Sequence, residues 1–124
     1  MTRTRQAALA LAGFRIAYGL ALAAKPVRAT QSWLGPGAAA APAEVPLRGM
    51  AGREIAVHTA LAAAVLSETP IKPWLVVSIA GDCSDIAATF RAGDGLPDGA
   101  PVKTLVVAGL SAALSAAVLV ALDR

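Results

Sequence analysis

The stretch on which the fold turns is Val76-Val77-Ser78-Ile79-Ala80-Gly81-Asp82-Cys83-Ser84-Asp85-Ile86-Ala87-Ala88-Thr89. Ser78, Asp82, Asp85 and Thr89 follow an i, i+4, i+7, i+11 spacing, which puts them on one stripe of an α-helix. Everything between them is apolar or small, so the helix has two carboxylates on one face and a hydrocarbon-like surface elsewhere. A water-facing helix shows the reverse, a broad charged face outside and an apolar stripe inside. The stretch therefore predicts a helix whose polar side is buried, and the other helices must supply cations to meet it.

The rest of the chain fits that demand. All eight prolines fall into three clusters, Pro26 to Pro46, Pro70 with Pro73, and Pro97 with Pro101, leaving four proline-free apolar stretches. Proline lacks the N–H that an interior helical turn needs, so the clusters mark connections and the gaps mark helices. The expected helices are residues 6–24, 47–66, 73–90 and 102–122, with a long loop over residues 25–46. Pro46, Pro73 and Pro101 then stand at first turns, where the missing donor costs least. The fold class expected is all-α: an antiparallel four-helix transmembrane bundle in a single domain, residues 1–124, with a buried ionic core.

Composition points the same way. Hydrophobic residues make up 56% of the 124 and charged ones 15%, against about 45–50% and about 25% in soluble domains, and the mean hydropathy is +0.62. Four spans of about 20 residues each fit this length. The alternative, a soluble Ala-rich bundle, sits poorly with the fourth helix, which has no charged residue between Lys103 and Asp123. The first helix also has the outline of a secretory signal, Arg3 and Arg5 before an apolar run, but Arg15 within that run and Pro26 just beyond it argue against cleavage.

Each helix has one small or polar face: Ala8, Ala12, Arg15 and Gly19 on the first; Arg53, Ala56, Ala60 and Ala64 on the second; Ser78, Asp82, Asp85 and Thr89 on the third; Thr104, Ala108, Ser111 and Ser115 on the fourth. Small residues let helices approach closely where lipid supplies no drive for association, and hydroxyls can bond across the contact. Gly49 and Gly52 read as further helix-packing positions. At about 1.5 Å rise per residue, alternating helices bring Arg15, His58 and Asp82 to one level and Arg53, Glu54 and Asp85 to another about a turn away. The pairings expected are Arg15 with Asp82, and Arg53 with Asp85 or Glu54. Opposite charges within reach hold each other ionised.

No catalytic centre emerges. Cys83 is the only cysteine and His58 the only histidine, so neither an intrachain disulfide nor a metal-ligand cluster is available. Cys83 and Ser84 point away from the aspartate stripe. Gly49-Met50-Ala51-Gly52 lacks the lysine and strand of a phosphate loop. The net charge of +3 is spread over both ends without a basic, aromatic-interleaved patch, which excludes nucleic acid as a partner. Neither an enzyme nor a cofactor is expected. Trp33 and Trp74 fall where opposite headgroup layers would lie.

Arg15 with Tyr18-Gly19, Trp33-Leu34-Gly35, Arg48 with Gly52-Arg53-Glu54, and Asp82 with Asp85 together resemble small bacterial four-helix integral membrane proteins of unknown function. His58 departs from that pattern, standing where the resemblance implies a small residue. The resemblance implies a membrane bundle and carries no activity with it. The function expected is that of a non-enzymatic accessory or interaction subunit in a bacterial cytoplasmic membrane, termini on the cytoplasmic side. Its partners would be membrane lipids and other membrane protein subunits or copies of itself. The alternative is a small transporter or permeation element moving protons or ions along the intramembrane carboxylates.

Overall fold

The structure, a computed structural model, describes residues 1–124. It is all-α and has no strand: α1 spans Arg3–Ala24, α2 Pro26–Leu34, α3 Ala41–Leu66, α4 Lys72–Ala92 and α5 Ala100–Leu122, with 3-10 turns at Gly35–Ala39 and Gly93–Gly95. The four long helices run alternately up and down. Arg5 at the start of α1 meets Ala64 at the end of α3, and Lys72 at the start of α4 pairs with Asp123 just beyond α5. The closest packing is between α1 and α3 and between α4 and α5, while the α3–α4 seam is looser.

The expected long loop over residues 25–46 is corrected: most of it is helical, so the bundle has five helices, not four. Pro26 lies in the first turn of α2 and Pro42 in that of α3, where prolines start helices because φ is preset and no N–H is missed. Reading the whole cluster as loop overlooked this. Pro46, expected at a helix start, lies inside α3. It forfeits one hydrogen bond just past the first turn, on an exposed face, where water can take the orphan carbonyl. α2 is held at its end by Trp33, whose indole N–H donates to Thr89 Oγ1 at 3.1 Å, and Thr30 donates to the Pro26 carbonyl at 2.7 Å. Gly35 follows at φ 67, with Pro97 Cγ 3.0 Å from where a Cβ would sit. A side chain there would be strained twice over.

The turn from α3 to α4 is a Schellman arrangement: the Thr69 N–H donates to the Ala64 carbonyl at 3.0 Å, and Glu68 between them adopts φ 59, the left-handed position usually held by glycine. Arg5 completes this end, with Nη2 donating to the carbonyls of Ala64 at 2.8 Å, Val65 at 3.1 Å and Thr69 at 3.1 Å. A cation at a helix C-terminus also complements the dipole. Beneath it sits the apolar core: Ala8, Ala12, Leu61, Ala64, Val65, Ile71 and Leu75.

Beside this apolar core the interior also holds charge, and the exterior holds large apolar side chains. Arg15, Glu54, His58, Ser78 and Asp82 are buried, while Phe14, Leu20, Val76, Val77, Val106, Val107, Leu110 and Leu114 are exposed. Two helices, α1 and α5, are long and apolar enough to cross a membrane. The expectation of four such helices is not met by length and apolarity alone, because Arg53, Glu54, His58, Asp82 and Asp85 reduce the apolar character of α3 and α4.

Candidate functional site

Arg15 stands at the middle of α1, on the buried line Ala8, Ala12, Arg15, Gly19, Leu22. The small residues around it let α3 come close: an ideal Cβ on Gly19 would lie 2.9 Å from Ile55 Cγ1 and 3.2 Å from the Ile55 backbone nitrogen. That approach carries Glu54 onto the guanidinium. Nε of Arg15 donates to Glu54 Oε2 at 2.7 Å and Nη2 to Glu54 Oε1 at 2.8 Å. The other edge of the fork serves α4, with Nη1 donating to Asp82 Oδ2 at 3.0 Å and Nη2 to Asp82 Oδ1 at 2.8 Å. Nη1 also donates to Ser111 Oγ on α5. All five guanidinium N–H groups are thus placed, and one side chain from α1 ties together α3, α4 and α5. The exposures are 6% for Arg15, 3% for Glu54 and 3% for Asp82.

A second pair lies beside the first. Arg53 Nη2 donates to Asp85 Oδ2 at 2.8 Å, with a longer contact of 3.4 Å to Glu54 Oε1. Here 35% of the Arg53 side chain and 23% of that of Asp85 remain accessible, and the guanidinium lies over Gly81, whose Cβ would meet it at 3.5 Å. The expected two separate layers are replaced by one network, because Glu54 reaches both arginines. Rise along the helix axis locates only each Cα, and an arginine side chain reaches across more than a helical turn.

His58, one turn after Glu54, is 1% exposed. Nδ1 lies 2.7 Å from the Glu54 carbonyl oxygen and Nε2 lies 2.8 Å from Ser78 Oγ. A carbonyl only accepts, so Nδ1 carries a hydrogen; Nε2 accepts from the Ser78 hydroxyl when the ring is neutral and donates to it when the ring is charged. Thr89 is also committed, donating to the Asp85 carbonyl at 2.7 Å while accepting from Trp33. Ser115 is fully buried and its Oγ has no partner.

Some expected positions lie elsewhere. On α3 the buried line is Leu47, Ala51, Glu54, His58, Leu61, Ala64 and Val65; Ala56 faces out, since the stripe through Arg53 lies about a residue off the core. Gly49 and Gly52, expected at helix contacts, are exposed and a Cβ on either would meet nothing within 4 Å. The close contact is made by Gly19, for which the signal was its i+4 spacing from Arg15. Cys83 and Ser84 point outward. Sequence reasoning missed the Arg15–Glu54 fork, the Arg5 cap and the lining that Val57, Val77 and Gly81 give to a narrow crevice beside Glu54, His58 and Ser78. No group of three or more His, Cys, Asp or Glu side chains could hold a metal ion.

No protein-family model matches the chain, and no curated protein or solved structure matches it. Function therefore rests on the residues themselves.

Proposed function

We propose that the chain is an integral membrane protein in which α1, α3, α4 and α5 all cross the bilayer, and that it serves as a non-enzymatic accessory or interaction subunit. The observation that carries the reading is where the polarity lies: the charges within the long helices are gathered into a buried ionic network, and large aliphatic and aromatic side chains cover the outside. In water such an exterior would be an aggregation surface; in lipid it is the solvent-matched one. The spacing of the flanking charges supports it. Arg5 and Lys25, Arg48 and Glu68, Lys72 and Arg91, and Lys103 and Asp123 bound the four helices, each pair about 20 residues and hence about 30 Å apart, the thickness of the hydrocarbon core. Within those limits no charged residue is fully exposed. The charges on α3 and α4 are turned inward and paired, which removes much of the insertion cost an isolated charge would carry.

The accessory role is supported by the outer face of α3. Gly49, Gly52, Ala56, Thr59 and Ala63 leave its backbone uncovered, and such faces are where membrane helices pack on one another. Purification in mild detergent tests both parts. The expected result is a membrane-extracted complex, with a stoichiometric partner or further copies of the chain, that falls apart in Gly52→Leu; a lone monomer overturns the accessory role. The partly open Arg53–Asp85 pair and the crevice beside Glu54 favour a second reading, a proton or ion permeation element.

A further inference from the structure

The network does not balance. Three carboxylates, Glu54, Asp82 and Asp85, face two guanidinium groups, Arg15 and Arg53. With His58 neutral, one formal negative charge is left over at the centre of the bundle. An uncompensated charge in that position costs several kcal/mol and is ordinarily cancelled by a proton or a counter-ion. α5 offers nothing to cancel it, having only hydroxyls between Lys103 and Asp123.

The one remaining base is placed to do so. His58 Nδ1 stands 3.6 Å from Glu54 Oε2 as well as 2.7 Å from the Glu54 carbonyl. Its other nitrogen faces Ser78 Oγ, which can accept as readily as donate. The ring also borders the crevice between α3 and α4, lined by Arg53, Glu54, His58, Ser78, Val77 and Gly81, with a volume of about 10 Å³. That is the scale at which a single water fits, and the polar lining supplies its partners.

Resting on the membrane reading above, we propose that His58, with Glu54 and Ser78, is a proton-binding site: a proton entering through the α3–α4 crevice lodges on Nε2 and cancels the surplus charge of the core. In the empty state Nδ1–H donates to the Glu54 carbonyl and Nε2 accepts from Ser78. In the loaded state Nε2–H donates to Ser78 Oγ, whose hydroxyl hydrogen rotates away, and the imidazolium faces the Glu54 carboxylate. The charged groups around the ring are Arg15 from α1, Glu54 from α3 and Asp82 from α4, with Arg53 of α3 across the crevice; Asp85 of α4, paired with Arg53, and Tyr18 of α1 are the next titratable members of the network.

Because His58 is the only histidine, nitrogen-15 histidine labelling of the full chain in lipid nanodiscs gives one ring to follow by NMR. The expected result is conversion between about pH 5 and 8 from two equivalent protonated ring nitrogens to one protonated and one bare, with Nδ1 the protonated one. Asp85→Asn removes the surplus charge and should weaken proton binding on the order of tenfold, whereas Arg53→Gln enlarges it and should strengthen binding by a similar factor. A purely structural histidine, locked as a neutral bridge between the Glu54 carbonyl and Ser78, would show neither the conversion nor the shifts. A ring that keeps one protonation state over that range, or a midpoint that neither variant moves, overturns the proposal. A chain that dissolves without detergent and does not enter the nanodiscs overturns instead the membrane reading beneath it. If Asp85→Asn does not fold, Arg53→Gln alone decides.

Discussion

Arg15 is the residue on which the most depends. Its guanidinium serves two carboxylates and a hydroxyl from three other helices, so removing it leaves Glu54 and Asp82 facing each other at 3% exposure. Breaking a buried ionic group from one side costs about 3–5 kcal/mol, more than the group contributes when intact, because the orphaned charge stays buried. Arg15→Met should therefore lower unfolding free energy in detergent by about that amount. Arg15→Met combined with Glu54→Gln and Asp82→Asn should recover a large part of it. A triple variant as unstable as the single one would contradict this account. Glu68 offers a prediction of the opposite sign. Its left-handed φ of 59 is disfavoured for any side chain by about 1–2 kcal/mol, so Glu68→Gly should raise stability by up to about 1 kcal/mol after the entropy of glycine is counted, as read from the same unfolding curve.

Among the elements, the α1–α3 contact and the docking of α2 make the sharpest claims. Gly19 sits against Ile55 and Glu54 with no room for a Cβ. Gly19→Val should force the two helices apart, with a cost of about 1–3 kcal/mol from overpacking, and should loosen the Arg15–Glu54 fork that depends on that approach. Gly13 meets nothing within 4 Å, and Gly13→Ala should be neutral or slightly stabilising by the helix propensity gain. Equal effects at both glycines would remove close approach as the explanation. α2 packs on α1, α3 and α5, and the Trp33–Thr89 hydrogen bond ties its end to α4. Trp33→Phe keeps an aromatic ring but leaves Thr89 with one partner fewer, and should cost about 1 kcal/mol, visible as faster amide exchange confined to residues 26–34. The ion pair between Lys72 and Asp123, both exposed, closes the other end. Exposed pairs of this kind add about 0–1 kcal/mol, so Lys72→Gln should leave the unfolding midpoint almost unmoved.

For the whole molecule, the apolar exterior makes Cys83 a built-in probe. It is the only cysteine and is exposed on α4, roughly midway between Lys72 and Arg91, which places it about 12–16 Å from either edge of the apolar belt. With four helices across the bilayer, a water-soluble maleimide should fail to label Cys83 in intact membranes and should label it fully once the bundle is unfolded in denaturant. A nitroxide at that position should report high oxygen and low aqueous-quencher collision. Rapid labelling in intact vesicles would place α4 in water and leave only α1 and α5 as spanning helices.

Much of this was determined by sequence alone, because it follows from local periodicity. The i, i+4, i+7, i+11 recurrence of Ser78, Asp82, Asp85 and Thr89 obliges a polar-faced helix whatever surrounds it, and the proline clusters bound the four long helices within a few residues at most ends. The buried line Ala8, Ala12, Arg15, Gly19 was legible for the same reason. Where prolines are dense the local signal is ambiguous, since one residue type both starts helices and ends them; α2 and the early start of α3 were hidden there. Only the tertiary structure decided that Arg15 takes both Glu54 and Asp82, that Gly19 and not Gly49 or Gly52 makes the close contact, and that His58 meets Ser78. Those outcomes depend on the rotation of each helix about its axis and on the reach of long side chains across the bundle. Spacing along one chain segment constrains neither.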